Sequence, residues 1–187
     1  MKYRSLYIFA ISIILSIGII SCKDASPVSN EPISGPFVAK VDGTQFTAND
    51  KLANAKFVTS TKMLQIIGQT SGQVETISLS LMTFGGVSTV VDLKPGTYDF
   101  DPANIAKYKY LVSATYTKYD GSEYINYNTK WGYVQKGKLI IESNTGTHIK
   151  GTFYFDAIKQ NNSDGSFDAS NIKQITEGAF DLDINNY

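Results

Sequence analysis

Apolar and polar residues alternate along most of the chain beyond residue 36, and a period of two is typical of strands with one buried face. At the start of this region, Phe37, Ala39 and Val41 share one face. The segments 147–158 and 172–184 alternate in the same way and place these residues on their apolar faces: Ile149, Phe153, Phe155, Ala157, Phe180, Leu182 and Ile184. The pattern predicts an all-β fold.

Turn motifs separate the predicted strands. Asp42-Gly43 and Asp120-Gly121 can adopt the positive φ angles that two-residue hairpin turns require. Asp101 followed by proline predicts one or two helical turns over 101–107, and a polar loop is predicted over 160–171. About ten strands joined in this way predict one antiparallel β-sandwich or barrel-like domain over residues 37–187, because both architectures are built from short alternating strands.

The first 21 residues have the layout of a secretory signal peptide. Lys2 and Arg4 precede an apolar run over 7–20, which is shorter than the about 20 apolar residues of a membrane-spanning helix. The run ends at Ile19-Ile20-Ser21-Cys22, which resembles the bacterial lipobox. This resemblance implies cleavage after Ser21, a diacylglyceryl group on the Cys22 thiol and a further acyl chain such as palmitate on the new amino terminus. Residues 1–21 are therefore predicted to be a cleaved lipoprotein signal peptide.

Residues 22–36 are predicted to form the lipidated cysteine and a flexible tether, because the segment is polar and rich in proline. A coil of this length separates its ends by about 20 Å on average. Several acyl chains on one residue hold a protein on a membrane almost permanently. We therefore expect the mature protein to be lipid-anchored to the outer membrane, on its periplasmic face or at the cell surface.

Composition narrows the possible partners and cofactors. Lys2 and Arg4 are lost with the signal peptide, so the mature chain keeps 15 basic beside 17 acidic residues and has no arginine. This balance gives no reason to expect nucleic acid as a partner. Cys22 is the only cysteine and His148 the only histidine, which excludes disulfides and a zinc site built from several such ligands. No metal and no other cofactor are expected.

Four segments resemble a family of Bacteroidetes lipoproteins of unknown function. They are F-V-A-K-V-D-G-T-Q-F-T-A at 37–48, P-G-T-Y at 95–98, K-G-T-F-Y-F-D-A at 150–157 and I-T-E-G-A-F-D-L at 175–182. The resemblance extends over nearly the whole mature chain and implies an all-β lipoprotein. It brings no catalytic or ligand-binding residues with it.

Groups that could support catalysis are few, and we expect no enzyme and no catalytic residues. His148 is predicted at the start of a strand on a solvent-facing side, where it is the only available base for a hydrolase. Asp99 with Asp101, and Asp181 with Asp183, are spaced as pairs on one strand face, as glycoside hydrolysis would require, although solubility and edge protection explain the second pair more simply. Oxygen-bearing residues in the polar loop could suit a hard cation, but a plain hairpin loop is the simpler interpretation: Asn161, Ser163, Asp164 and Asp168.

Aromatic residues concentrate between positions 108 and 133, and they supply the candidate ligand-binding residues Trp131, Tyr108, Tyr110 and Tyr116. The three tyrosines are predicted to share one strand face with Val112 and Ala114. Tyrosine and tryptophan suit a surface that is half dry and half wet, such as a platform for a sugar ring or a small apolar ligand. Tyrosine also has a high strand propensity, so a purely structural role is the alternative.

Two functional hypotheses follow from the sequence. The first is a non-enzymatic binding or interaction module that takes a glycan or a small apolar ligand at an aromatic-rich face. The second is a structural or assembly component of the cell envelope, whose edge strands pair with another envelope protein.

Overall fold

The alternating pattern beyond residue 36 folds into strands, as the sequence predicts. The computed structural model describes residues 34–85, 89–101, 103–129 and 136–186. The predicted signal peptide, Cys22, most of the predicted tether and Trp131 lie outside the described residues.

Eleven strands and one short helix make up most of the described chain. The strands are β1 (Phe37–Val41), β2 (Thr44–Thr47), β3 (Asn54–Val58), β4 (Met63–Gln69), β5 (Glu75–Thr83), β6 (Gly96–Asp99), β7 (Tyr110–Tyr119), β8 (Tyr124–Asn128), β9 (Gly137–Asn144), β10 (His148–Gln160) and β11 (Phe167–Asn186). The helix α1 spans Asn104–Tyr108, and single 3₁₀ turns lie at Asp50–Leu52, Ser71–Gln73 and Val90–Asp92. The all-β prediction is confirmed.

The strand pairings form a closed ring. Strands β3, β4, β5, β7, β8, β10 and β11 are hydrogen-bonded in that order, and the end of β11 pairs with β3. The hairpin β1–β2 joins the free edge of β11, and β9 with β6 joins the free edge of β10. The fold is therefore barrel-like. The β11–β3 pairing is parallel, unlike the antiparallel pairing predicted for all strands.

Hairpins form at both predicted positions, but the second turn has Gly121 and Ser122 at its centre instead of Asp120 and Gly121, because the Asp120 N–H donates to the Glu123 carbonyl at 3.1 Å. Asp42 and Gly43 have φ angles of 48° and 80° and connect β1 to β2. The Asp120 carboxylate accepts the backbone N–H groups of Ser122 and Glu123, which fixes the turn between β7 and β8. The polar loop predicted over 160–171 is shorter in the structure, because Gln160 pairs with Phe167 and the strands extend to residues 160 and 167. Residues 161–166 remain as the connection.

The core follows the alternation. Its fully buried large side chains come from nearly every strand: Phe37, Phe46, Phe57, Leu64, Ile66, Ile77, Leu79, Leu81, Tyr116, Phe155 and Phe180. Two glycines make room for this packing, because Gly151 lies opposite Phe180 and Gly178 opposite Phe153 in the β10–β11 register. At both positions a Cβ atom would collide with the phenylalanine ring. Larger side chains there would force the two strands apart.

Near Glu177, strand β11 carries one extra residue relative to both neighbours. The register shifts between Val38 and Lys40 on β1 and between Phe153 and Phe155 on β10. Glu177 absorbs this bulge with a φ of 50°, and its carboxylate lies 2.7 Å from the Lys40 ammonium. Bulges bend strands and increase their twist, which helps a sheet to close on itself.

Candidate functional site

The tyrosines of β7 and its flanks do not form one surface. Tyr108 and Tyr110 lie at the start of β7, Tyr116 lies inside the barrel, and Tyr119 with Tyr124 lies at the far end. The predicted strand face shared by Tyr108, Tyr110 and Tyr116 is wrong for Tyr108, because that residue ends α1. Lys109 follows in the left-handed conformation, with a φ of 60°, and turns the chain before β7 begins.

Tyr116 belongs to the core. Its side chain is 2% exposed, and its ring centroid lies 5.8 Å from that of the buried Tyr127. The hydroxyl donates to Glu75 Oε1 at 2.8 Å, and Lys118 binds the same carboxylate oxygen at 3.3 Å. Burial, together with this bond to Glu75, raises the pKa of the Tyr116 hydroxyl. With its ring buried and its hydroxyl engaged, Tyr116 is not part of a ligand-accessible surface.

Three tyrosines from different elements meet at the start of β7, and we call them the aromatic rim: Tyr98 on β6, Tyr108 on α1 and Tyr110 on β7. The rings of Tyr108 and Tyr110 are nearly parallel, with centroids 6.0 Å apart and an interplanar angle of 13°. Tyr98 meets Tyr110 edge to face at 5.1 Å. Because Tyr98 and Tyr110 also pack against the core, the structure holds their rings in place, whereas Tyr108 is 54% exposed.

Charged groups surround the aromatic rim. The Asp99 backbone N–H donates to the Tyr110 hydroxyl at 3.3 Å, and Asp101 Oδ1 accepts the Ala103 N–H at 2.9 Å. Lys107 places its ammonium 4.6 Å from the centre of the Tyr108 ring. Burial raises the pKa of the Tyr110 hydroxyl, and the negative charges of Asp99 and Asp101 contribute to that rise.

Local hydrogen bonds hold the turn that connects β6 to α1, next to the aromatic rim. Strand β6 ends at Asp99, so Asp99 and Asp101 do not share the strand face that their spacing predicts. Asn104 instead tucks its amide under the turn and donates to the Asp99 carbonyl at 3.1 Å. Its side chain is buried, which fixes α1 against the end of β6. This turn brings Tyr108 beside Tyr110.

The far end of β7 uses its tyrosines differently. The rings of Tyr119 and Tyr124 lie 5.1 Å apart, and the Tyr119 hydroxyl donates to the Gly121 carbonyl at 3.0 Å. Asn162, from the β10–β11 connection, donates to the Tyr124 carbonyl at 2.8 Å and to Glu123 Oε2 at 3.2 Å. These bonds fasten two hairpin ends together.

His148 begins β10, as predicted, but it is not a free base. Its Nε2 lies 2.5 Å from Asp181 Oδ1 and its Nδ1 lies 2.9 Å from Asp183 Oδ1. Carboxylates only accept hydrogen bonds, so two such contacts require both ring nitrogens to carry hydrogen. The hydrogen bonds that His148 donates to Asp183 and Asp181 accordingly raise the pKa of His148. Sequence reasoning pairs Asp181 with Asp183 on one strand face but does not bring His148 to them, because the β10–β11 register that joins the three residues is a non-local property.

The two aspartates of the predicted polar loop accept hydrogen bonds from neighbouring residues. Asp164 accepts the Ser166 N–H, and Asp168 accepts the Ser170 N–H and hydroxyl. Within residues 34–85, 89–101, 103–129 and 136–186, no group of three or more His, Cys, Asp or Glu residues is placed to hold a metal ion. The same part of the chain contains no helix long and apolar enough to cross a membrane.

A comparison with protein-family models matches residues 33–181 to the family described as "Domain of unknown function (DUF6252)". The chain belongs to the DUF6252 family. No curated protein and no solved structure matches the chain. The matched residues include the whole aromatic rim of this DUF6252 member, and they end at Asp181, so that the Asp183 partner of His148 lies just beyond them.

The structure gives a physical reason for the segments noted in the sequence of this DUF6252 member. In the first, Asp42 accepts the Lys173 ammonium at 2.7 Å and the Gln174 N–H at 2.9 Å, which ties the β1–β2 turn to β11. Burial opposes ionisation of Asp42, but these two hydrogen bonds outweigh it and lower the pKa of the carboxyl. The closing pair of segments supplies the glycines that receive phenylalanine rings. All of these roles stabilise the fold.

Proposed function

We propose that this DUF6252 protein is a lipid-anchored, non-enzymatic binding module that takes a glycan or a small apolar ligand at the aromatic rim. The observation that carries the proposal is the exposed Tyr108 ring, 54% accessible, lying parallel to a fixed Tyr110 ring. An aromatic ring with a polar tip suits a surface that is partly dry and partly wet.

The construction of the aromatic rim supports binding. Tyr98 and Tyr110 are half-buried against the core, and the Tyr98 hydroxyl donates to the Lys94 carbonyl at 2.7 Å. Rings that are already held in place lose little conformational freedom when a ligand arrives. Stacking on an aromatic side chain contributes about 1–3 kcal/mol where it has been measured for flat ligands.

The absence of a catalytic role is part of this proposal. A histidine that acts as a general base needs a ring nitrogen with a free lone pair. His148 has both ring nitrogens engaged by Asp181 and Asp183, so the only histidine of the chain is committed to holding β10 and β11 together.

The binding test compares two tyrosines of similar exposure. Tyr108→Ala removes a ring from the aromatic rim, whereas Tyr124→Ala removes a 50% exposed ring from the far end of β7. We expect the wild-type chain to bind members of a glycan array or a neutral apolar dye, with Tyr108→Ala weakening this binding about tenfold or more. Equal binding by both variants would contradict the proposal. Trp131→Ala in the same assay tests the prediction made for Trp131.

The lipid anchor is tested separately at Cys22. Metabolic labelling with a palmitate analogue should mark the wild-type chain, and the label should be lost in Cys22→Ala. The variant should also leave the membrane fraction, because the acyl chains on Cys22 are what would hold the mature protein there. Labelling that persists in Cys22→Ala would contradict the anchor.

The strand edges favour binding over assembly by strand pairing. The two outermost strands, β2 and β6, are four residues long each, and short edges are poor templates for another chain. The Tyr110 hydroxyl also accepts the Asp99 N–H of β6 and so covers part of that edge. Crosslinking in intact cells that captured a second envelope protein through β2 or β6 would favour the assembly hypothesis instead.

A further inference from the structure

Resting on the binding role proposed above, we infer that the aromatic rim takes an uncharged sugar ring, whose hydroxyl groups donate to the carboxylates of Asp99 and Asp101. The ring's C–H face would lie on Tyr108. Apolar and anionic ligands would be disfavoured by the same two carboxylates.

These two carboxylates can accept more hydrogen bonds than they do in the structure. In the part of the chain that the structure describes, the exposed Asp99 carboxylate has no hydrogen bond or ion pair, and Asp101 uses one oxygen for the Ala103 N–H. An ionised carboxylate accepts several hydrogen bonds through its two oxygens. Sugar hydroxyls are donors that could fill the remaining positions.

Asp99 and Asp101 lie next to the aromatic rim. The Asp99 backbone contacts the Tyr110 hydroxyl directly, and the negative charges of Asp99 and Asp101 both act on that hydroxyl. Asp99 also follows Tyr98 directly in β6, and the Asp101 carboxylate is bonded to Ala103 at the start of α1, so both residues lie beside the aromatic rim rather than on a separate surface.

Apolar, anionic and cationic ligands fit this surface less well than a neutral sugar. An apolar ligand would strip water from the carboxylates without replacing its hydrogen bonds, which costs free energy. An anionic ligand such as a uronic acid would meet two like charges at close range. An organic cation would compete with Lys107, whose ammonium already lies over the Tyr108 ring. A neutral, hydroxyl-rich ring supplies hydrogen-bond donors to the carboxylates, and where it stacks on Tyr108 it takes the place of the exposed Lys107 ammonium.

The test uses the full chain purified in detergent and titrated with four kinds of probe. They are arrayed neutral hexasaccharides, hexagalacturonate, the neutral dye N-phenyl-1-naphthylamine and tetramethylammonium. Asp99→Asn and Asp101→Asn remove charge while keeping size, and the amide oxygen introduced at position 101 can still accept the Ala103 N–H. Asp50→Asn, at the exposed 3₁₀ turn between β2 and β3, is the matched control.

We expect at least one neutral hexasaccharide to bind and hexagalacturonate to bind at least tenfold more weakly. Asp99→Asn and Asp101→Asn together should weaken the neutral sugar about tenfold or more, whereas Asp50→Asn should leave it unchanged. Tyr108-dependent binding of the dye, hexagalacturonate or tetramethylammonium in preference to neutral sugars would overturn this inference but leave a binding role at the aromatic rim intact. Failure of Tyr108→Ala to affect any probe would overturn both.

Discussion

The two ends of strand β7 carry the same residue type and use it in opposite ways. At the far end, Tyr119 and Tyr124 form a pair whose surroundings are closed by hydrogen bonds, and Asn162 fastens that pair to the β10–β11 connection. At the start, Tyr108 and Tyr110 also form a ring pair, but the neighbouring Asp99 carboxylate is left to solvent.

The contrast shows that exposure of an aromatic ring does not by itself indicate a ligand site. Tyr108 and Tyr124 differ by only a few per cent in exposed fraction, at 54% and 50%. What distinguishes them is whether the polar groups around the ring already have partners. Tyr116 and Tyr127 fill the interior between the two ends. They separate the hydrogen-bonded Tyr119–Tyr124 pair from the aromatic rim, where the Asp99 carboxylate is exposed.

The largest effect is expected in the buried middle of β7. Tyr116→Ala should lower the free energy of unfolding by about 3–5 kcal/mol, the usual cost of removing a fully buried aromatic side chain. Tyr116→Phe keeps the ring and loses only the bond to Glu75, so it should cost about 1 kcal/mol. Urea unfolding followed by circular dichroism measures both. If Tyr116→Phe lost ligand binding while its stability stayed unchanged, Tyr116 would have to contact the ligand, which would contradict its assignment to the core.

A smaller effect is expected at the far end. Asn162→Ala should lower the free energy of unfolding by about 1 kcal/mol, because its amide joins Tyr124, Glu123 and Asn126 through exposed hydrogen bonds. Ligand binding at the aromatic rim should not change. Ser163→Ala, at the neighbouring exposed position, is the control and should be neutral. A binding defect in Asn162→Ala would mean that the two ends of β7 are not independent.

The His148 contacts predict a modest pH dependence of stability that leaves the aromatic rim untouched. The folded-state pKa of His148 is raised, so its stabilising contribution is full below about pH 6.5, the unfolded value, and is lost as pH rises through the higher folded-state pKa. Lys150 pairs with Asp181 in the register and would partly compensate. Because the side chains are solvent-exposed, the loss should stay below about 1 kcal/mol.

Unfolding measured from about pH 5.5 to about pH 9, a range that brackets the ordinary histidine pKa, should show this loss in the wild-type chain and not in His148→Gln. Ligand affinity over the same range should stay flat, since His148 is the only histidine and lies outside the aromatic rim. Stability that rose with pH through this window would contradict the assignment of a protonated His148.

Local sequence patterns are sufficient to predict the strands and turns. They do not predict which strands pair when those strands are far apart in the chain. Alternation gives the inward faces of β10 and β11, and Asp42-Gly43 and Asp120-Gly121 give the hairpins. The ring closes through a parallel contact between β3 and the end of β11, far apart in the chain, and no local pattern encodes it. The spacing of Tyr108 from Tyr110 fits a period of two, so the pattern alone cannot separate a strand residue from the last residue of α1.

The sequence predicts some of the residues that form the candidate site, but it does not predict how those residues are arranged in space. The tyrosine-rich segment indicates Tyr108 and Tyr110, but Tyr98 joins them through the β6–β9 pairing, which no local pattern predicts. Likewise, bringing His148 together with its two aspartates requires the β10–β11 register. In both cases the missing information is which strands become neighbours.

The most direct measurement is the affinity of the full chain and of Tyr108→Ala and Tyr124→Ala for one neutral oligosaccharide identified on an array. Both variants should keep wild-type stability within about 0.5 kcal/mol, as surface substitutions usually do. We expect Tyr108→Ala to weaken binding about tenfold or more and Tyr124→Ala to leave it unchanged. Equal loss in both variants, or loss only in Tyr124→Ala, would contradict a binding surface at the start of β7.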